Sequence, residues 1–319
     1  MLVIPALPRS ADPSRNSLPA LPALSELLRL SDAASADSGW RTGLLRDLGA
    51  RDGAAPEAVV AAAALGIAHG SHVCLAAPVH AVAGLHRVHL HASGILGLAP
   101  QERAALADGF TAQFGADLRL HDAGNQWLLE APCASAADET DPLDWAGAPL
   151  ERRPASSPAQ RLLRRLGTEI EMWLADHPVN AQRRRRGHVP VNLLWMWGGG
   201  VVKPAAGLPA LSPVRLHGAP DDAWLAGCAV LAGGALLPLP ARWPGVAPAR
   251  DVMVLPGATD AGHLLAWESQ WFVPALDDLR AGRFPVLELR VGCHLHRVRD
   301  GRIRRFVRRA RPWWQAAQA

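Results

Sequence analysis

The sequence predicts an α/β protein in which a layered core of sheet and helices carries a smaller inserted α+β unit. Short apolar runs bounded by Pro and Gly alternate with amphipathic segments over residues 158–291, a pattern typical of strands alternating with helices. Residues 66–145 instead follow the order strand, strand, helix, hairpin. The chain has 319 residues, 49% of them apolar, so it can bury a sizeable core. We expect residues 1–65 and 146–319 to form the core and 66–145 the insertion.

The elements of the first half follow from local patterns. "MLVIPAL" predicts a short buried strand, while "LPALSELLRLS" and "PEAVVAAAALGIA" predict helices separated by a polar loop, "SDAASADSG". "HVCLAAPVHA" and "LHRVHLHA" predict strands, and a helix is expected from Pro100 to a stop at Gly115. "DLRLHDAGNQWLLEAP" predicts a hairpin, and the Pro- and Ser-rich residues 133–158 a linker.

The second half alternates more clearly. "PAQRLLRRLGTEIEMWLADHP" predicts an amphipathic helix that Pro178 ends, and "VPVNLLWMWG" a buried central strand. "AWLAGCAVLAGGA" predicts a helix, "DVMVLP" a strand, and "AGHLLAWESQWFVPALDDLRAG" a long helix kinked before Pro274. "FPVLELRVG" is expected to be the last strand.

Positive charge is local rather than general. The net charge is only +4, but arginines cluster at 183–186 and again at 302–311. Nucleic-acid binders that hold single strands place exposed aromatics beside the basic groove, whereas Trp195 and Trp197 fall in a strand expected to be buried. The C-terminal cluster, with Phe306, Trp313 and Trp314, fits that pattern better. A solvated arginine face explains it equally, so the sequence disfavours nucleic acid and leaves this cluster as an alternative partner site.

The cysteines and the apolar runs exclude several classes of protein. Cys74, Cys133, Cys228 and Cys293 form no CxxC pair, which argues against a zinc ribbon and favours buried thiols in a reducing cytoplasm. No apolar run reaches the ~18 residues of a membrane span. The first residues lack the basic region of a signal peptide. We expect a cytoplasmic protein without a membrane partner, and its oligomeric state stays open.

Histidines and acids offer weak metal candidates. His89 and His91 would share one face of a strand while His86 points the other way, which is poor geometry for one metal. Asp260, His263 and His294 could gather at strand ends, where ligands collect in α/β folds. Helix capping explains Asp260 equally well. Walker A, GxGxxG, HExxH and GxSxG motifs are absent from the sequence.

The stretch "HPVNAQRRRRGHVPVN" is more specific. Guanidinium groups such as those of Arg183 and Arg184 suit phosphate or carboxylate ligands. Asn192 precedes an apolar strand and needs a hydrogen-bond partner if it is buried. Alternatively, Asn192 fastens neighbouring backbone, and the arginines are solvated or pair with acids such as Glu169 and Glu171.

Extended to Gly200, the stretch is "HPVNAQRRRRGHVPVNLLWMWGGG". This segment resembles one of the archaeal-type cofactor-independent phosphoglycerate mutases. It is more similar to the bacterial RpfE-type regulatory proteins. "LAAPVH", "WESQWFVPALDDLRAGR" and "RRFVRRARPWW" extend the RpfE-type resemblance over most of residues 75–314. The resemblance implies an alkaline-phosphatase-like α/β core with an inserted α+β domain. It also implies two divalent metals, Mn²⁺ or Mg²⁺, and a serine nucleophile for phosphoryl transfer.

Several positions depart from the mutase motifs. Pro5 stands where the first strand should end in a metal-binding Asp-Gly, and Trp40 replaces the serine. Asp260 to His263 is one residue short of a metal motif, and Cys293 replaces an Asp. The Arg of the mutases' RGxG becomes Trp197.

The segment that shapes the substrate side remains. Its candidate ligand residues are His177, Asn180, Arg183, Arg184 and Asn192. We therefore expect a protein without catalytic residues or cofactor that binds a small phosphorylated or acidic metabolite in a regulatory role. The alternative is a metal-dependent mutase or phosphatase with a rearranged site at Asp260, His263 and His294.

Overall fold

The structure of the chain is a computed structural model that describes most of its length. The C-terminal arginine cluster and His86 lie outside the described residues. The structure describes residues 1–5, 7, 18–36, 39–50, 55–84, 87–115, 117–138, 140–145, 149–150, 154–204, 207–245, 250–258, 260–299 and 312–313.

The described strands are numbered in chain order. They are β1 Leu2–Ile4, β2 Ser31–Ala36, β3 His72–Val79, β4 Ala81–Ala83, β5 Val88–Leu90, β6 Arg119–Asp122, β7 Trp127–Glu130, β8 Leu193–Val201, β9 Arg215–Gly218, β10 Leu237–Pro238, β11 Asp251–Val254, β12 Leu287–Val291 and β13 His294–Val298.

The described helices are numbered in the same way. They are α1 Pro22–Leu30, α2 Trp40–Asp47, α3 Glu57–Leu65, α4 Pro100–Phe114, α5 Pro158–Asp176, α6 Pro178–Arg185, α7 Ala223–Leu231, α8 Ala261–Trp267 and α9 Val273–Arg280. A π-helical turn, Glu268–Phe272, joins α8 to α9, and short 3₁₀ turns cover Ala134–Ala136 and Pro142–Trp145. No helix among the described residues is long and apolar enough to cross a bilayer.

The chain divides into two compact units. The first contains residues 1–54, 210–219 and 232–319, and the second contains 55–209 and 220–231. The described residues between 149 and 204 therefore belong to the same unit as the segment predicted as an insertion, whereas the sequence pattern assigns them to the core. The reason is strand pairing, since β8 runs antiparallel to β3 along Leu193–Val201.

The first unit is built on a mixed sheet of order β10-β9-β11-β1-β12-β13-β2. β1 lies parallel between β11 and β12, so its three apolar residues are buried on both faces. Two predictions are wrong here. Residues 31–36, predicted as a loop, form β2, and β13 follows the strand that was expected to be the last. The sequence pattern did not predict β2, because its small residues show no alternation of large apolar and polar side chains. Pairing along β13 defines this strand.

A buried carboxylate joins the first helix of this unit to the π-helical turn. The side chain of Glu268 accepts hydrogen bonds from the backbone N–H groups of Ala23 and Leu24, at 2.5 and 3.2 Å. The helix α1 has no side-chain cap of its own, so Glu268 satisfies donors that its first turn leaves open. The extra residue of the π turn lies just before Pro274, where the sequence predicted a kink.

The second unit contains a four-stranded sheet of order β6-β7-β3-β8, with helices on both faces. Cys74 and Ala76 of β3 face a core shared with α4 and α5, while Val73 and Leu75 face a core shared with α3. The strand β8 is buried as predicted but lies at the edge of the sheet, not at its centre. The four strands and the two helices predicted within residues 56–130 are confirmed, and the short strand β4 is present in addition.

The triple glycine at 198–200 serves close packing rather than a phosphate loop. A Cβ atom on Gly199 would lie 2.5 Å from the carbonyl oxygen of Ala134 and 2.8 Å from the amide nitrogen of Ala137. A Cβ atom on Gly200 would lie 2.7 Å from the side chain of Val59. Glycine therefore lets β8 approach the 3₁₀ turn and α3.

We expect Gly199→Ala to destabilise the protein by about 1–3 kcal/mol, because the added methyl group meets backbone atoms that cannot move alone. Gly97→Ala is the matched control, since a Cβ atom there has open space around it. It should change stability by no more than about 0.5 kcal/mol. Urea unfolding of the three proteins measures both effects, and equal midpoints for wild type and Gly199→Ala would contradict the packing argument.

Candidate functional site

His177 forms the junction between α5 and α6. It ends the first helix and begins the second, with its Nδ1 atom accepting a hydrogen bond from the Val179 N–H at 3.3 Å. The sequence correctly predicted that the first helix ends here, but Pro178 opens a new helix because proline fits the first helical position. The imidazole packs edge-on against Trp173, with ring centroids 4.8 Å apart, and burial lowers the pKa of His177.

Asn180 fastens the end of α5 to the segment that enters β8. Its Nδ2 group donates to the carbonyl oxygens of Leu174 and Val191, at 2.7 and 2.6 Å, and its Oδ1 atom accepts from the Val191 N–H at 2.8 Å. The side chain is 1% exposed. Both amide hydrogens and the oxygen are thus used within the protein.

The four consecutive arginines have different environments. The guanidinium of Arg183 is buried, 2.6 Å from Glu102 Oε2, and it also donates to the carbonyl oxygens of Val189 and Gly97. The expected partners were acids on α5, but the observed partner is Glu102, which also accepts from the Ala99 N–H at the start of α4. An acid three residues after a helix start is the signal that could have found it. Arg184, like the two arginines after it, is exposed.

Asn192 pairs with the backbone of Ala81. Its Oδ1 atom accepts from the Ala81 N–H at 2.7 Å and its Nδ2 group donates to the Ala81 carbonyl at 2.8 Å. Asn192 thus fastens the backbone, as one of the two interpretations of the sequence required. Trp197, at the position of a mutase arginine, is 1% exposed and donates to Gln126 Oε1 at 3.1 Å.

The candidate metal ligands lie in the first unit, whereas the candidate anion ligands lie in the second. Asp260 caps α8 by accepting from the His263 N–H at 3.0 Å, and its Oδ2 atom lies 2.9 Å from His263 Nδ1. His294 begins β13, with its Nδ1 atom 3.4 Å from Cys293 Sγ. Within the described ranges, no three His, Cys, Asp or Glu side chains form a group that could hold a metal ion.

The adjoining carboxyl ends of β1 and β12 also lack the side chains that a metal site would need. In open α/β sheets, ligands collect at this edge. Here β1 ends at Ile4 and is followed by the buried Pro5, while Gly292 donates its N–H to the Ile4 carbonyl at 2.9 Å. A pair of divalent ions needs several oxygen or nitrogen ligands at once. The described residues do not fit the two metals that the mutase resemblance implies.

A cluster of buried polar side chains on β12 and β13 was not predicted from the sequence patterns. Arg290 is fully buried and pairs with Asp47 of α2, with Nε and Oδ2 2.8 Å apart. On β13, His296 is 3% exposed, with its Nδ1 atom 3.1 Å from the Ser31 hydroxyl. Burial, together with the nearby His294 and Arg290, lowers the pKa of His296 to about 4. No periodicity marks these residues, because their partners are distant in sequence.

We expect His296 to make the protein sensitive to acid. Because its pKa falls from 6.5 when unfolded to about 4 when folded, the unfolded chain binds the proton first and stability falls as pH drops through this interval. The loss attributable to this residue approaches about 3 kcal/mol. This loss of stability on acidification should be nearly absent in His296→Gln. The control is His263→Gln, which changes an exposed histidine and should keep the loss. Urea unfolding between pH 7 and pH 4 measures it, and parallel pH profiles for wild type and His296→Gln would refute it.

An open cleft of about 550 Å³ lies in the second unit beside His177. It is lined by side chains of α4, α5 and the start of α6, namely Gln113, Phe114, Glu169, Met172, Trp173, Asp176, His177 and Pro178. Two carboxylates and two aromatic rings dominate the lining, and none of the lining residues is a lysine or arginine. The sequence patterns gave no reason to group these residues.

Comparison with known proteins gives only distant similarity. No family model matches the chain, and no curated protein matches it. Among solved structures, it is similar to the cofactor-independent phosphoglycerate mutase from Thermoplasma acidophilum, with 17% identity and a TM-score of 0.40. That match covers 100% of this chain and 94% of the mutase. The chain is also similar to the PH0037 protein from Pyrococcus horikoshii, with 13% identity and a TM-score of 0.44 over 99% and 91% of the two chains.

Proposed function

We propose that this protein is a non-catalytic, RpfE-type relative of the phosphoglycerate mutases that acts in the cytoplasm by binding. The observation that carries the proposal is the use of the mutase-like segment within the fold itself. The side-chain amides of Asn180 and Asn192 form hydrogen bonds with backbone groups, and Arg183 is buried against Glu102. The contacts use both N–H groups of the Asn180 amide and hold the Asn192 and Arg183 side chains against the protein itself.

The absence of a metal-holding group among the described residues supports the same proposal. Phosphoryl transfer by the mutases requires two divalent ions and a nucleophile. Pro5 and Trp40 cannot provide a ligand and an acceptor, and Asp260 and His263 are paired with each other. We therefore derive no catalytic step for this chain, and Mn²⁺ or Mg²⁺ belongs to the alternative function only.

The proposed ligand is a small phosphorylated or acidic metabolite. Of the candidate residues, Arg184 is the one with an exposed cationic group, and two further exposed arginines follow it. Adjacent exposed guanidinium groups suit a multiply charged anion. A protein that binds such a metabolite without converting it acts through its bound state, which is the basis for proposing a regulatory role.

Activity assays test the proposal against the metal-dependent alternative. Purified protein with Mn²⁺ is assayed for interconversion of 2- and 3-phosphoglycerate and for phosphate release from a generic phosphomonoester. We expect no turnover above a protein-free blank. Turnover that His263→Ala abolishes would overturn the non-catalytic function.

Binding is tested separately by titrating 3-phosphoglycerate into the protein in a calorimeter. We expect heat of binding that falls with added salt and that is lost when Arg184, Arg185 and Arg186 are all changed to Gln. Gln182→Ala, an exposed residue of the same helix, is the control. Unchanged binding in the triple variant would exclude these arginines as the anion site.

A further inference from the structure

The cleft beside His177 has the chemistry of a cation site. Its charged lining residues are the carboxylates of Glu169 and Asp176, and its aromatic lining residues are Phe114 and Trp173. Burial lowers the pKa of His177, so its imidazole adds no positive charge at neutral pH. Carboxylates with π-systems attract ammonium and guanidinium groups and repel anions. The cleft therefore opposes the anion for which the neighbouring arginines are suited.

The spacing of these residues along α5 restricts the shape of the cation. Glu169 and Asp176 are seven residues apart, which is two turns on one face of a helix and a rise of about 10.5 Å. Met172 and Trp173 lie between them on the same face, and Met172 is 61% exposed. The order is thus carboxylate, apolar surface, carboxylate. A flexible thioether beside an aromatic ring suits an aliphatic chain.

From this arrangement we infer that the cleft binds an elongated aliphatic dication, a small α,ω-diamine or guanidinoamine, with one charged end at Glu169 and the other at Asp176. The cleft volume of about 550 Å³ lies within the range of small-molecule sites. This assignment is independent of the proposed anion at Arg184.

The free protein holds both carboxylates in a way that a dication would improve. Asp176 is the last residue of α5, and that last turn contains no basic residue that would pair with it. Glu169 is paired with Arg165 at 3.0 Å, but both side chains are exposed, so the pair contributes little and can be displaced.

Gly109 supports the geometry of the cleft. A Cβ atom on this residue would lie 2.8 Å from His177 Nε2 and 3.2 Å from Trp173 Cζ2. A glycine in the interior of α4 costs stability, yet it lets α4 approach the Trp173–His177 pair closely. The ring of Trp173 also packs edge-on against Phe110 and Phe114, with centroids 6.0 and 5.8 Å away. The aromatic part of the cleft is thereby held in place.

The test is a ligand-observed NMR titration of the full chain with α,ω-diamines of three to eight carbons, with n-alkylmonoamines of the same lengths as controls. We expect the diamines to bind at least about tenfold more tightly than the monoamines, with an optimum chain length, because two ion pairs form instead of one. Equal affinity for diamines and monoamines, or no binding of either, would overturn the inference.

Variants separate binding from folding. Asp176→Asn should reduce diamine affinity to that of the monoamine while leaving the thermal midpoint nearly unchanged, since Asp176 is exposed. Trp173→Leu should weaken binding about tenfold. Asp108→Asn, which removes an exposed charge of α4 outside the cleft, should leave affinity unchanged. If it weakens binding as much as Asp176→Asn, general acidity rather than the cleft attracts the ligand. If an arginine-containing peptide binds but no diamine does, the cleft serves a protein partner and the assignment to a small molecule is wrong.

Discussion

Arg183→Met is expected to destabilise the protein by about 3–5 kcal/mol, because it leaves the Glu102 carboxylate buried without its cation. The two side chains are 5% and 8% exposed, and their charged atoms lie 2.6 Å apart. The loss includes the hydrogen bonds that Arg183 donates to Val189 and Gly97. Urea unfolding gives the change in free energy of unfolding.

Two comparisons make this prediction specific. Arg184→Met removes the same charge one residue later on an exposed surface, and it should cost no more than about 0.5 kcal/mol. The double variant Arg183→Met with Glu102→Leu should recover part of the loss, since an apolar pair no longer buries an unpaired charge. If Arg183→Met and Arg184→Met have the same effect, the ion pair does not contribute to stability.

Asn180→Ala is expected to cost about 4 kcal/mol, since three short hydrogen bonds are lost and buried backbone groups of Leu174 and Val191 lose partners. Asn180→Asp should cost more, because its second oxygen would face two carbonyl oxygens in place of the amide hydrogens. Unfolding in urea measures each loss. Gln182→Ala on the exposed side of α6 is the control, and a loss as small as that of the control would show that Asn180 is free for a ligand.

The sequence pattern singled out Asn180 and Arg183 as ligand residues, whereas both make hydrogen bonds within the fold. Helix caps, apolar periodicity and the Pro–Gly boundaries located most elements, because those signals are local. The pattern could not show that Arg183 reaches Glu102, which is 81 residues away, or that Asn180 reaches Val191 across a helix end. A motif that names polar residues does not distinguish a ligand contact from a buried bond within the fold.

The missed strand and the missed cleft have similar causes. The residues of β2 are small, and half of them are polar, so their strand character comes from pairing along β13. The cleft depends on α4 approaching α5, and the glycine that permits this approach carries no chemical signal of its own. The edge position of β8 was also invisible in the sequence, because packing on α3 and α5 still buries most of its large apolar residues.

The strand order of the first unit delays the pairing of β1 during synthesis on the ribosome. β1 is paired on one side with β11 and on the other with β12, and α1 receives its cap from Glu268. At about 5–20 residues per second, the first strand waits on the order of 15–60 s for β12 to be translated. During that interval the second unit, whose segments lie between residues 55 and 231, can already fold. The apolar residues of β1 therefore remain without their strand partners in the nascent chain throughout that interval.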